Sequence, residues 1–443
     1  MILIIIALLF TNIAFVYGEN LVIMSILTND GFLLPAMVLA HRLKTLNMSV
    51  PYILLVTENV SSESIAELES HNITVHHTSF FTVPHAKKEA KYHYTKLRLW
   101  SMTEYDVIMY LDLDVLPMRD LTPFFQCGSF CATFRHSDKF NAGLLVLKSN
   151  ITVYNDLVAK APELATYDGG DQGFMNSYFD QLKFAPMFDH EHPNNQRYQS
   201  DQRRLTAAFN YDIAMYYVQG GRKLVEPIIY HYTMGPVKPW IWWTYPLFDL
   251  NEHWHNARGE MEEYYDAHPD EQLITLATLV LIGALIFRKL ILVVVGDRCI
   301  TYPFTSFEDC TAHFFVVWIS ALVSFYLVPY TARPFASWIY FITITNIHII
   351  YLSDMVVRIR IGTCSASYCS WALAFTLNSL ATLILLLLLT ATPRFGTRAV
   401  LAIVSMISLL IFILPLTCKK VLIGGCEDHS RYLPLNSKKS YIH

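Results

Sequence analysis

The feature that most constrains this chain is the uneven placement of its apolar residues. Of 443 residues, 53% are hydrophobic and 16% charged, with a mean hydropathy of +0.32. That is too apolar for an average soluble protein. The excess lies in residues 271–418, as five apolar stretches at 273–287, 314–329, 335–352, 371–389 and 400–416. Each reads as a membrane-spanning helix, although several fall short of the roughly 20 residues that a hydrocarbon core requires. Residues 19–270 have an ordinary soluble composition and read as a separate α/β domain.

Residues 1–18 form an apolar run without a positive leading region, expected to be a signal peptide or an uncleaved signal anchor. Either reading sends the following domain to the lumen of the secretory pathway. Asn-x-Ser/Thr sequons at Asn47, Asn59, Asn72 and Asn150 all precede the apolar half. A lumenal soluble domain leaves ten lysines and arginines on the cytosolic side, among them Arg288, Lys289, Arg358 and Lys419. The lumenal loops between spans receive only Arg333, Arg394 and Arg398, as the positive-inside rule requires. Residues 419–443 then form a cytosolic tail, and the compartment expected is the Golgi or the endoplasmic reticulum. Cys127 and Cys131 either close a small disulfide loop or remain buried thiols. A net charge of −4 with no dense basic patch argues against nucleic acid.

In the soluble half, apolar runs at 21–27, 52–56, 73–76 and 107–111 read as strands. They alternate with helical patterns at 33–46, after Ser64 (Ser64-Ile65-Ala66-Glu67 has capping-box spacing) and at 95–100. This β-α-β-α-β order predicts a mostly parallel sheet with helices on both faces, and ligands bind at the carboxyl edge of such sheets. Just past the run at 107–111 come Asp112 and Asp114. Alternation points both to one face, and two like charges that close need a cation. A divalent metal bridging phosphates satisfies both demands. Further on come a strand with a polar start at Asn141, a Gly-rich loop at 168–173 opening a helix, and a segment from His231 to Trp240.

Six motifs in order carry a resemblance. They are Leu27-Thr28-Asn29-Asp30, Tyr94-Thr95-Lys96-Leu97, Leu111-Asp112-Leu113-Asp114, Phe140-Asn141-Ala142-Gly143, Gly170-Asp171-Gln172-Gly173-Phe174-Met175-Asn176, and His231 through Trp240. With them the chain resembles glycosyltransferase family 8, which contains glycogenin. His231-Tyr232-Thr233-x-Gly235-Pro236-x-Lys238-Pro239-Trp240-x-Trp242-Trp243-Thr244 and the C-terminal spans resemble its membrane-bound branch, which glucuronosylates inositol phosphorylceramide.

The resemblance implies a GT-A fold, a Rossmann-like nucleotide-sugar-binding α/β domain, followed by an all-α multi-span transmembrane domain. It also implies Mn²⁺, a UDP-sugar donor and retention of anomeric configuration. Asp112, Asp114 and His231 are the expected metal ligands, with Leu113 between the carboxylates. Lys238, in the loop with Gly235, is expected on the donor diphosphate. Thr28, Asn29 and Phe32 are candidates for the uridine, and Lys96, Asn141 and Gly143 for the donor sugar. Asp171 and Gln172 match the loop beneath the anomeric carbon. Same-face attack is favoured over a covalent intermediate on either of them.

The expected reaction moves glucuronic acid to a sphingolipid headgroup. Rivals are a UDP-glucose or UDP-galactose transferase acting on another lipid or glycan, and an inactive membrane scaffold or lipid transporter. Tyr217 lies near the position of glycogenin's self-glucosylated tyrosine, by spacing only. A glucuronate carboxylate needs a cation, and Lys87, Lys88, Lys91 and Arg98 all remain open. Trp240, Trp242, Trp243 and Trp254 either rest at the bilayer interface or pack under the active site.

Overall fold

In a computed structural model of the chain, the residues described are 19–392, 395–409 and 414, less 85, 89–91, 135–136, 193–200, 296–305 and 362–367. The N-terminal run 1–18, the tail 419–443, Lys91, Arg298 and Arg394 therefore lie outside the described residues. The chain divides into two compact units, Met1–Ile213 with Lys223–Thr233, and Ala214–Arg222 with Met234–His443.

The first unit is built on a seven-stranded sheet, ordered β3-β2-β1-β4-β7-β6-β8. Its strands are β1 (Leu21–Leu27), β2 (Tyr52–Val56), β3 (Thr74–His77), β4 (Val107–Leu111), β6 (Phe130–Phe134), β7 (Phe140–Lys148) and β8 (Gln202–Leu205). All neighbours pair in parallel except β7, which runs antiparallel to both β4 and β6. In β1 every residue after Leu21 is buried, and in β4 every residue is. Continuous apolar runs of this kind suit central strands covered on both faces. The α/β class expected from the sequence is thus present, as a mixed sheet.

Helices α1 (Leu33–Thr45), α2 (Ser62–Ser70), α3 (Ile151–Lys160) and α4 (Asp171–Tyr178) connect these strands. The cap of α2 is Ser61, not Ser64: the Ser61 hydroxyl accepts the Ser64 N–H at 3.2 Å. Asp30 holds Ser61 in place by accepting its N–H at 2.9 Å, a long-range tie that local spacing does not show. Trp100, Phe130 and Phe179 stack in the core beneath the sheet. Cys127 and Cys131 form a disulfide.

A second sheet of three strands, ordered β5-β10-β9, uses β5 (Val115–Pro117), β9 (Tyr211–Asp212) and β10 (Ile229–His231). The chain therefore leaves the large sheet at Leu111 and enters the small one at Val115. Only Asp112, Leu113 and Asp114 lie between.

The second unit is helical. After α5 (Ile213–Val218), shared between the units, come α6 (Asn251–Tyr264), α7 (Pro269–Val295), α8 (Ser306–Leu327), α9 (Pro334–Ile361), α10 (Tyr368–Ala391) and α11 (Phe395–Ser408). Among the described residues, three segments are long and apolar enough to cross a membrane, Pro269–Phe287, Pro334–Val356 and Cys369–Ala391. Thr311–Leu327 and Phe395–Ser408 are shorter apolar helices among the described residues. Polar contacts cross between helices in this bundle: Asn346 donates to the Ser379 hydroxyl at 2.9 Å, and Ser324 bonds the His348 ring at 3.1 Å. Of the four tryptophans at 240–254, only Trp243 is partly exposed. Trp240, Trp242 and Trp254 are buried, and Trp242 packs on Trp338 and Phe341 of α9.

Candidate active site

The turn between the two sheets carries the central constellation. Asp112 follows β4 and Asp114 precedes β5. In the small sheet His231 is registered opposite Val115, and the Tyr232 N–H bonds the Asp114 carbonyl at 2.9 Å. Strand register therefore carries an imidazole from over a hundred residues away to the acidic pair. One ligand atom from each of Asp112, Asp114 and His231 falls within a mutual 4.8 Å. Gly143 makes the space: a Cβ there would lie 2.5 Å from His231 Cε1 and 2.6 Å from Asp112 Oδ2.

Lys96 closes one side. Its buried Nζ lies 3.1 Å from Asp112 Oδ1 and 3.1 Å from Asp171 Oδ2. It also donates to the Ala142 carbonyl at 3.3 Å. Burial works against its charge, but Asp112 and Asp171 outweigh that effect and hold its proton more firmly than in ordinary lysine. The Tyr110 hydroxyl donates to Asp112 Oδ1 at 2.6 Å. Burial, then the Asp112 charge, push its pKa well up, so it stays a donor. Tyr94 donates to the Gly170 carbonyl at 3.0 Å, and burial and Asp171 push it up to about 12.

A hydrogen-bond chain then runs from Gln172 to His231, and two peptide groups fix its direction. Gln172 Oε1 accepts from the Ala142 N–H at 3.2 Å and from Asn141 Nδ2 at 2.7 Å. Asn141 Oδ1 accepts from the Gly143 N–H at 3.0 Å and from Asn210 Nδ2 at 2.8 Å. That leaves Asn210 Oδ1 facing His231 Nδ1 at 2.8 Å. An amide oxygen only accepts, so Nδ1 carries a proton and donates it to Asn210. Nε2 is the atom that faces Asp114, 3.2 Å from Oδ1. The ring is thus turned with Nε2 toward the acidic pair, the orientation a metal ligand needs. Two carboxylates and an imidazole, with no thiolate, form a set suited to Mn²⁺ or a similar divalent ion.

The structure gathers Lys96, Asp112, Asp114, Asn141, Gly143, Asp171, Gln172 and His231 into one network. Leu113 is buried between the carboxylates. Thr28, Asn29 and Phe32 follow the carboxyl end of β1, which pairs in parallel with β4 and so opens on the same sheet edge. Asn29 Oδ1 caps the short 3₁₀ turn Asp30–Phe32 by accepting the Gly31 N–H. Gly235 and Lys238 belong to the second unit. Tyr217 is buried, and its hydroxyl accepts the Leu250 N–H at 3.2 Å, an unsuitable place for a self-modified side chain.

Three participants escaped the motif reading: Tyr110, Asn210 and Tyr167, whose hydroxyl accepts from Gln172 Nε2 at 2.7 Å. Asn210 alone left a trace, as a polar residue closing the apolar run Ala207-Ala208-Phe209.

The family described as "Glycosyl transferase family 8" matches residues 22–128. An inositol phosphorylceramide glucuronosyltransferase 1 of Arabidopsis thaliana is 31% identical over 249 residues, covering 54% of this chain and 46% of that protein. Glycogenin-1 of Caenorhabditis elegans is 30% identical over 225 residues, covering 48% and 49%. The chain spans about half the length of these relatives. A solved galactosyltransferase, LgtC with donor and acceptor sugar analogues, gives a TM-score of 0.37 at 16% identity, covering 54% of this chain and 95% of that one. With its motifs in order and its acidic pair joined to His231, the chain is similar to glycosyltransferase family 8 over residues 22–128.

Proposed function

We propose that this protein is a Mn²⁺-dependent, retaining glycosyltransferase that moves glucuronic acid from UDP-glucuronate to a sphingolipid headgroup such as inositol phosphorylceramide. The observation that carries the chemistry is the joining of Asp112, Asp114 and a His231 oriented by Asn210, beside Lys96 and Asp171. The donor and acceptor classes rest on the relative named for that reaction and on the apolar helices of the second unit. A lipid acceptor accounts for those helices, and a soluble primer does not.

Bound at Asp112, Asp114 and His231, a divalent ion would act as a Lewis acid on the departing UDP. The protein's own groups orient the rest. Thr28, Asn29 and Phe32 receive the uridine at the sheet edge, and Lys238, with the Gly235 loop, places a cation on the diphosphate. Asn141 and Gln172 line the donor sugar. Both polar atoms of Gln172 are already engaged, the carbonyl by two N–H donors and the amide by Tyr167. Asp171 is paired with Lys96. Neither is poised as a nucleophile, which supports same-face attack with the leaving phosphate as base. The protein works as a multi-pass protein of the Golgi or endoplasmic reticulum membrane with its first unit in the lumen.

The test uses the full chain in lipid nanodiscs containing inositol phosphorylceramide. UDP release and the lipid product are followed by mass spectrometry across UDP-glucuronate, UDP-glucose and UDP-galactose, with Mn²⁺ and then with chelator. The expected result is a glucuronosylated lipid only when Mn²⁺ is present. Turnover of another UDP-sugar in its place overturns the donor, a glycosylated product other than the sphingolipid overturns the acceptor, and no turnover of any donor points to an inactive scaffold.

A further inference from the structure

Helix α5 ends in a turn that faces outward. The Gly221 N–H bonds the Tyr216 carbonyl at 2.9 Å and the Gly220 N–H bonds the Tyr217 carbonyl at 3.1 Å, with Gly220 at φ +72°. This pairing closes a helix in the Schellman manner, with a left-handed residue that glycine adopts without steric cost. The backbone at the turn is therefore fully specified. Even so, Val218, the last helical residue, is 80% exposed, and Arg222 is exposed beside it. The chain leaves through Lys223, Leu224 and Val225, also exposed. Loops normally cover themselves with polar residues, so an ordered turn that displays bare aliphatic side chains beside cations calls for a partner.

The elements beneath it identify that partner. The Tyr216 hydroxyl donates to Asp249 Oδ2 at 2.7 Å, and the Tyr217 hydroxyl accepts the Leu250 N–H. The Tyr217 ring lies 4.5 Å and the Phe248 ring 5.6 Å from Phe395, the first residue of α11. A Cβ on Gly221 would come within 3.4 Å of Phe395 Cβ. The turn is thus seated on the very start of an apolar helix. Beyond that start, α11 displays Val400, Ile403 and Val404, each more than half exposed, as a surface for hydrocarbon. In its first turn, buried Arg398 donates to the Thr392 carbonyl at 2.7 Å and the Pro246 carbonyl at 2.5 Å. Polar backbone is therefore fastened at this level, and the apolar face begins just past it, as at a membrane–water boundary.

We propose that the turn at residues 218–222 rests on the bilayer surface, with Val218 entering the acyl boundary and Arg222 among the headgroup phosphates. The inference rests on the membrane reading of the second unit, and it adds a contact that none of the spanning segments supplies.

The test places p-benzoylphenylalanine at Val218 in the full chain, reconstituted in nanodiscs that carry an alkyne-tagged phospholipid. Val404 on α11 serves as the lipid-facing reference. Ile151 at the start of α3, which is 49% exposed in the first unit, serves as the water-facing reference. After irradiation, lipid adducts at Val218 should match those at Val404 and exceed those at Ile151 by about tenfold, as interfacial insertion of an aliphatic side chain requires. A yield at Val218 no higher than at Ile151, with strong labelling at Val404, overturns the proposal and leaves the membrane reading intact. Absence of adducts at Val404 as well overturns that reading, and the proposal with it.

Discussion

The two units handle enclosed charge in opposite ways. In the first, Lys96 lies between Asp112 and Asp171, while Asp114 lies against His231, whose Nδ1 bonds Asn210. Among these side chains, three carboxylates meet one ammonium. In the second, Arg258 and Arg333 meet Glu262 and Asp270: Arg258 Nε lies 2.7 Å from Glu262, which Arg333 also grips, and Arg333 reaches Asp270 at 3.3 Å. That group is balanced and closed, and Arg258 further donates to the Thr331 carbonyl. Removing charge from water is costly unless each charge meets its opposite. A complete set holds a fold together. An incomplete set is a receptor for whatever completes it, here a divalent cation with the phosphates it carries.

The sharpest way to break this contrast is to remove part of the deficit. Asp114→Ala takes away a metal ligand and a full negative charge. UDP release by the full chain should fall by roughly 10³-fold or more, because the leaving diphosphate loses its Lewis acid. Mn²⁺ titration followed by electron paramagnetic resonance should show the site gone, with thermal unfolding little changed. Activity within a few-fold of wild type would mean that the carboxylate excess is not a metal site.

The balanced cluster predicts the converse pattern. Glu262→Ala leaves two guanidinium groups without their shared carboxylate, and stability should drop by about 3–5 kcal/mol, read by denaturant unfolding in detergent. Mn²⁺ affinity should hold. A variant as stable as wild type would show that the pairs are decorative.

The contrast also explains how far the sequence could be read. Asp112, Asp114, His231 and the Gly-rich loop at 168–173 were legible because chemistry forces those residue types into fixed local spacing. The strands at 21–27 and 107–111 were legible because burial on both faces leaves an unbroken apolar run. Asn210 was not, because its importance arises only where β9 and β10 pair and bring it under His231. Ser61 was overlooked as the cap of α2 because Asp30, across the sheet edge, selects it. The Arg258–Glu262–Arg333 cluster was equally hidden, since it joins positions over seventy residues apart. Of the cations offered for a glucuronate carboxylate, Arg98 is now accounted for: its guanidinium donates to the Ser79 and Phe80 carbonyls.

A subtler test of the open cluster spares its charges. Asn210→Leu removes the acceptor that keeps the proton on His231 Nδ1, freeing the ring to adopt the wrong tautomer. Mn²⁺ affinity should fall about 10- to 100-fold, the usual cost of losing an outer partner of a ligand. Asn210→Asp should recover part of that loss, because a carboxylate still accepts the Nδ1 proton, although it sets an oxygen against Asn141 Oδ1. Equal affinities in all three proteins would show that the chain from Gln172 does not govern the imidazole.

The smallest expected effect sharpens the other side. His255 on α6 packs its ring on Tyr245 and Trp254. Burial, then the charges of Arg258 and Arg333, push its pKa down to about 3. Its folded value therefore lies below the unfolded one, and between them the unfolded chain binds the extra proton. Stability from this residue is fully present above pH 6.5 and is lost as the pH falls toward 3. Melting temperatures of wild type and His255→Phe should diverge on acidification from pH 7 to pH 5, with the wild type losing more. Parallel curves would mean that neither burial nor the two arginines disfavours the charged imidazole, so that His255 lies outside the closed cluster in energetic terms.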